Sequence, residues 1–297
     1  MKKKYRLEVR QLSKDELAYF ERIGCKIGKF YVEVFDDCRE WDTVRKIIYR
    51  HSQDPQSIVW DVNPIFTEKE LMRAPYLSII CNSYGGGYPQ PENDWKYMSL
   101  TFGIDNPTML ERSPDTIDVL IEHHQMAPFR FSREPNWGKR NKGFTGVFWK
   151  ETYVFVNNRC RELVFAPFGV KMLNVIKNRS GQPLETVFQL DPEVSSEPLD
   201  TRGFRYFDTP KKHRVFISSI YIRDVLDLEN SLKSDGFYPP FVLNPQTPCC
   251  WTQEYFAPTE NDPWVTISRD IVISHDVYMK IREYKFTGLD YIPMREW

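Results

Sequence analysis

A mixed fold of short strands and short helices, of the α+β or α/β class, is what this sequence predicts, on three observations. Helix caps recur at short intervals, strand-sized apolar runs lie between them, and the composition disfavours long helices. The chain of 297 residues holds 21 Pro but only 14 Gly, and 15% of it is aromatic, which suits many short strands joined by Pro-bounded loops. Hydrophobic residues make up 41%, enough for a sizeable core. The length suits two domains at about 150 residues each.

Residues 5–9 read as a strand. Ser13 then caps a helix reaching residue 23, with Glu16 at the capping-box position and Gly24 as its stop. Phe30, Val32, Val34 and Phe35 mark a strand, and Asp42 caps a helix that carries Val44, Ile47 and Ile48 on one face. Residues 57–62 are a further strand, Thr67 opens a short helix with Glu70 three residues on, and 76–81 returns to a strand. An irregular loop over 82–94 contains Gly85, Gly86 and Gly87, and a strand over 97–102 follows it. The Pro-, Ser- and acid-rich stretch 191–202 reads as a surface connection. The domains expected are an N-terminal α/β domain over 1–110 and a C-terminal α/β domain over 111–297.

The C-terminal half carries the pattern of two repeated strand–helix–strand units, 162–190 and 270–294. In the second, residues 270–274 form a strand ending in a serine cap, Val277, Tyr278, Ile281 and Tyr284 a helical stripe, Gly288 a terminator and 289–293 a strand. In the first, the matching parts are 163–165, the face of Val170, Leu173 and Ile176, then Gly181 and 184–190.

Lys and Arg number 40 against 41 Asp and Glu, so global charge calls for neither nucleic acid nor an anionic membrane. Lys2, Lys3 and Lys4 resemble the charged start of a leader, but no apolar stretch follows, so none is expected. No run approaches the length of a membrane span. Six cysteines with no CxxC pair make a poor disulfide framework, which points to a reducing cytoplasm.

Candidate chemistry is sparse. The segment 24–29 has a glycine and a lysine as a phosphate loop has, but Phe30 stands where Ser or Thr must hold magnesium, and the loop runs from helix to strand. The three consecutive glycines lack dinucleotide spacing and precede Pro89 and Pro91; flanked by Tyr84 and Tyr88, they suit a binding loop. His123 and His124 are adjacent, so on a helix they point about 100° apart and do not share one metal easily. Zinc held by either with Cys160 or Cys249, or a carboxylate site from Asp115 and Glu122, needs tertiary assembly. His51, His213 and His275 are isolated.

The stretch 129–150 departs most from the neutral average. Arg130, Arg133, Lys139, Arg140, Lys142 and Lys150 face only Glu134, with Phe129, Phe131, Trp137, Phe144, Phe148 and Trp149 interleaved. Cations among flat rings suit a protein partner or nucleic acid. They also suit an amphipathic hairpin with its rings in the core and its charges in water.

Several segments together, 66–71, 87–92, 127–129, 135–140 and the ending 273–293, resemble a group of bacterial cytoplasmic proteins. The ending, a serine-capped helix, then Gly288-Leu289 and a short strand closing at Pro293, is similar to that of double-CXXCG-type toxin-immunity proteins. The resemblance implies a toxin-neutralising protein partner. The cysteine pairs that name that family are missing, and Cys249-Cys250 cannot replace them, so metal binding is not implied.

The sequence therefore leads to a non-enzymatic, cytoplasmic protein-binding protein with immunity-like neutralisation as its role. Trp137, Arg140, Trp149, Arg133, Lys139, Tyr84 and Tyr88 are the candidate partner contacts. No catalytic residue, metal or cofactor is assigned. The alternatives are a metal-dependent hydrolase or nuclease using Asp115, Glu122, His123 and His124, and nucleic-acid binding through 129–150.

Overall fold

Local capping decides where the helices begin. In the computed structural model, which describes residues 2–52, 59–85, 125, 127–138, 141–147, 150–199, 201, 206–217, 247–257 and 269–294, Ser13 caps helix α1 (Lys14–Arg22). The Ser13 side chain accepts from the Glu16 N–H, and the Glu16 carboxylate accepts from the Ser13 N–H at 2.8 Å. Gly24, at φ +80°, takes the left-handed conformation just past the helix end. Strand β1 (Lys2–Glu8) precedes α1, and β2 (Lys26–Ile27) and β3 (Tyr31–Phe35) follow it. Helix α2 (Trp41–Ser52) begins one residue before Asp42, which therefore sits in the first turn and not at the cap, a position where a negative charge is favourable. Strand β4 (Val59–Ile65) and helix α3 (Glu68–Arg73) come next, α3 with a second capping box between Thr67 and Glu70.

The described residues fall into two units, one up to Glu70 with Ile217, the other within Leu71–Phe216, Pro239–Ala257 and Asp262–Trp297. In the first, the strands run in the order β2-β3-β1-β4, every neighbour antiparallel. With α1 between β1 and β2, and α2 between β3 and β4, this is the split β-α-β topology of ferredoxin-like folds. Register places Tyr5 opposite Val34 and Leu7 opposite Val32, and all four are buried. Leu12, Phe20 of α1 and Val44, Ile47 and Ile48 of α2 are buried with them, and the Tyr5 and Trp41 rings are 5.0 Å apart. The opposite face alternates to polar residues, where Glu33 lies 3.2 Å from Arg6 and 3.5 Å from Lys26.

His51, at the end of α2, lies 3.0 Å from the Glu16 carboxylate and so ties it to the start of α1. Burial pushes the Glu16 carboxyl up, but the Ser13 N–H and hydroxyl and the His51 ring outweigh it and hold the carboxyl below its ordinary value of 4.5. A carboxyl more acidic in the folded than in the unfolded chain adds stability above the unfolded pKa and loses it as pH falls through the folded one. Below about pH 4.5 the melting temperature of this unit is therefore expected to fall, and Glu16→Gln to flatten that dependence. A pH series of thermal melts on both proteins checks it; parallel curves would rule it out.

The second unit holds three sheets. A four-stranded antiparallel sheet has the order β13-β15-β5-β16, from β13 (Cys249–Trp251), β15 (Ile271–Ser274), β5 (Tyr76–Cys81) and β16 (Leu289–Pro293). Strand β5, inside the stretch 1–110, is thus hydrogen-bonded on both sides to C-terminal strands. The five-stranded sheet has the order β6-β9-β10-β8-β7: β6 (Arg130–Phe131), β9 (Met172–Lys177), β10 (Pro183–Leu190), β8 (Lys150–Asn157) and β7 (Phe144–Val147). Only β6 and β9 pair in parallel there. Strands β11 (Tyr206–Asp208), β12 (Arg214–Ile217) and β14 (Tyr255–Ala257) form a third sheet. Mixed sheets with a few short helices make this an α+β fold.

The five-stranded sheet is buried on both faces. Val154 and Val156 point into one core with Leu77 and Ile79 of β5 and Val277 and Ile281 of helix α4 (His275–Glu283). Phe155, between them, points into another with Phe129, Phe131, Val175 and Val187. Gln189, buried on β10, is satisfied by a reciprocal amide pair with Gln125 at 2.8 and 2.5 Å.

The expected repeat over 162–190 does not form. Residues Arg161–Phe165 make a π-helical turn continuing from Asn158–Cys160, and the face assigned to a helix lies largely in strand β9. Asn157 determines the first part, because its side chain accepts from the Cys160 N–H at 2.7 Å and starts a helix. Pairing with β10 and β6 determines the second. The unit over 270–294 does form, with Ser274 capping α4. Its helix ends before Gly288, however, with Lys285 at φ +55° in the left-handed position. The stretch 191–199 is irregular, as expected of a connection, but it is pinned: Ser195 and Leu199 are buried, and Glu254 accepts from the Leu199 N–H at 2.9 Å. Burial lifts the Glu254 carboxyl above its ordinary range against the pull of the Leu199 N–H and Arg269. The strand expected over 97–102 and the boundary at 110 lie outside the described residues.

Candidate binding surface

The segment 82–85 leaves β5 and lies along β7. Ser83 accepts from the Gly146 N–H at 2.8 Å and from the Thr145 hydroxyl at 3.3 Å, and its own hydroxyl donates to the Phe144 carbonyl at 3.2 Å. Tyr84 forms a parallel bridge with Gly146 and is 44% exposed. Glycine is needed at 146, since a Cβ there would stand 2.8 Å from the Cys81 Cβ and 3.4 Å from the Tyr84 ring. At Gly85 an added Cβ would lie 3.5 Å from the Pro135 Cβ, which shows how closely the 82–85 segment meets the 132–138 loop.

That loop carries Trp137. Its ring packs on the core of Phe129, Phe131 and Phe155, half-buried, and its indole N–H donates to Thr186 at 3.4 Å. Thr186 in turn donates to Glu134, and the Asn136 side chain accepts from the Gly138 N–H at 2.9 Å. Arg133 is exposed on the same loop. The fold thus brings two of the sequence candidates, Tyr84 and Trp137, onto neighbouring loops, with Arg133 on the loop that carries Trp137. Lys139, Arg140, Trp149 and Tyr88 lie outside the described residues, as do Asp115, Glu122, His123, His124, Gly86 and Gly87.

The rest of the aromatic–basic stretch divides differently from a stacking surface. Phe129, Phe131 and Phe144 have no exposed area, and Phe155 meets Phe129 at 5.2 Å and Phe131 at 4.8 Å. These rings are core. Their alternation with Arg130 is the period-two signal of a half-buried strand. Of the stretch's candidate contacts, half-buried Trp137 and exposed Arg133 remain open to a partner among the described residues.

Cys160 and Cys249 are buried in the apolar core, which holds their thiols well above the ordinary range and therefore protonated. Among the described residues, no three His, Cys, Asp or Glu side chains cluster as metal ligands would. No helix of the described residues is long and apolar enough to cross a membrane. No family model matches the chain, and no curated protein matches it in sequence.

Proposed function

We propose that this chain is a cytoplasmic, non-enzymatic protein-binding protein that neutralises a bacterial toxin by covering part of its surface. The observation that carries the reading is exposed Tyr84 on a segment fixed by β7, which meets through Gly85 and Pro135 the loop that carries half-buried Trp137 and exposed Arg133. Tyr, Trp and Arg are the side chains that anchor protein interfaces, because each buries much area for little loss of conformational freedom. A ring seated on its own core, as Trp137 is, is already ordered before a partner arrives. The resemblance of the chain's ending to double-CXXCG-type immunity proteins supports the toxin as partner.

The test is titration calorimetry against the protein encoded beside this one. Trp137→Ala and the pair Tyr84→Ala with Arg133→Ala are each expected to weaken binding at least tenfold, the scale of an interface anchor. Tyr84 and Arg133 are exposed, and circular dichroism checks that the pair still folds. Full affinity in the folded double variant would remove the reading.

A further inference from the structure

The β11–β12 hairpin presents the sequence Lys211-Lys212-His213-Arg214 at and beside its tip. The loop is rigidly built. The Thr209 N–H donates to the His213 carbonyl at 2.9 Å, the Lys212 N–H donates to the Thr209 carbonyl at 2.8 Å, and the Thr209 hydroxyl accepts from the His213 N–H at 3.0 Å. Lys212 stands at φ +64°, the left-handed bulge position that closes a three-residue hairpin loop begun by Pro210. Lys211, Lys212 and Arg214 are exposed, and Asp208, 3.3 Å from Arg214, is the one carboxylate in the hairpin. Register places Asp208 opposite Arg214 and Tyr206 opposite Phe216, so Tyr206 and Arg214 share a face. There the Arg214 guanidinium lies 4.1 Å from the centre of the Tyr206 ring, and Tyr206 remains 50% exposed. The Tyr206 ring leans on Phe216, which packs against Phe256, so the platform is seated.

We infer that this hairpin is a contact site for single-stranded nucleic acid, with Lys211, Lys212 and Arg214 taking phosphates and Tyr206 with the Arg214 plane taking a base. Lysines supply point charges for phosphate, and a seated ring joined to a guanidinium gives the flat surface on which any base stacks. A carboxylate-rich peptide would use the same cations but has no need of the ring. Across the chain the charges nearly cancel, at 40 cations against 41 anions, so the attraction belongs to the hairpin and not to the protein as a whole. The inference does not rest on Tyr84 or Trp137.

The experiment is fluorescence anisotropy of a labelled oligothymidylate with the full chain. Affinity should fall about twentyfold between 50 and 200 mM salt, as three phosphate contacts on a single strand require. Lys211→Glu with Lys212→Glu should weaken binding at least tenfold and flatten the salt dependence. Tyr206→Ala should weaken it about tenfold and leave the salt slope unchanged, because it removes stacking but no charge. Circular dichroism checks that each variant folds. Lys211→Gln with Lys212→Gly, which suits the left-handed turn, serves if the charge reversal disturbs it. No binding at 50 mM salt, or binding indifferent to these variants, overturns the inference. A polyglutamate peptide bound as tightly, with no effect of Tyr206→Ala, overturns it in favour of an acidic protein partner.

Discussion

Replacing Gly288 with alanine is expected to destabilise the second unit by about 4 kcal/mol, a large share of a typical domain's stability. Two costs combine. The residue sits at φ +119°, where a side chain is strained, and an added Cβ would stand 2.5 Å from the Phe144 carbonyl oxygen. That oxygen is backbone in β7 and cannot rotate away as a side chain would. The seam is held from several directions: Asn82 donates to the Gly288 carbonyl at 3.1 Å, and the Gly143 and Phe144 N–H groups both donate to the Thr287 carbonyl. The Phe144 carbonyl also accepts from Ser83, so moving the seam disturbs the segment that carries Tyr84. Gly181 is the control, at φ +68° but with open space around it, and Gly181→Ala should cost only about 1 kcal/mol of backbone strain. Urea unfolding of both variants checks the difference. Equal losses would mean that the close approach at Phe144 contributes nothing.

Signals confined to three or four residues were legible in the sequence. Ser13 with Glu16, Thr67 with Glu70 and Ser274 before Val277 each start a helix where read, because the capping hydrogen bonds are made within one turn. What depended on partners distant in sequence was not legible. Leu163-Val164-Phe165 is too short an apolar run for periodicity to separate strand from helix, and the deciding cap, Asn157, lies six residues earlier. Gly288 looked like a helix terminator by its position. Lys285 fills that place, and Gly288 is required by Phe144, 144 residues away. The same limit applies to the candidate site. Tyr84 and the 132–138 loop become neighbours only because 82–85 lies on β7, a pairing that no local pattern encodes. The assignment of Phe129 and Phe131 to the core was open to inspection in their alternation with Arg130, but the charge around them obscured it.

Those buried rings lead to the other large effect. Phe155→Ala should cost about 3–5 kcal/mol, the range for a buried phenylalanine whose neighbours cannot close the space. Phe155 is fully buried in β8, between β10 and β7, and backbone pairing on both sides prevents the strands from collapsing into the void. Phe129 and Phe131, at 5.2 and 4.8 Å, would lose their ring contacts with it as well. Because Trp137 packs on this same cluster, the variant should also loosen the loop that presents it. Phe155→Leu keeps most of the volume and should cost about 1.5 kcal/mol or less. Denaturant melts rank the three proteins, and amide exchange at 134 and 136–138 reports the loop. Exchange there should quicken in the alanine variant and stay near the parent rate in the leucine variant. Unchanged exchange in a destabilised Phe155→Ala protein would separate Trp137 from the core beneath it, and would remove the argument that its surface is ordered in advance of a partner.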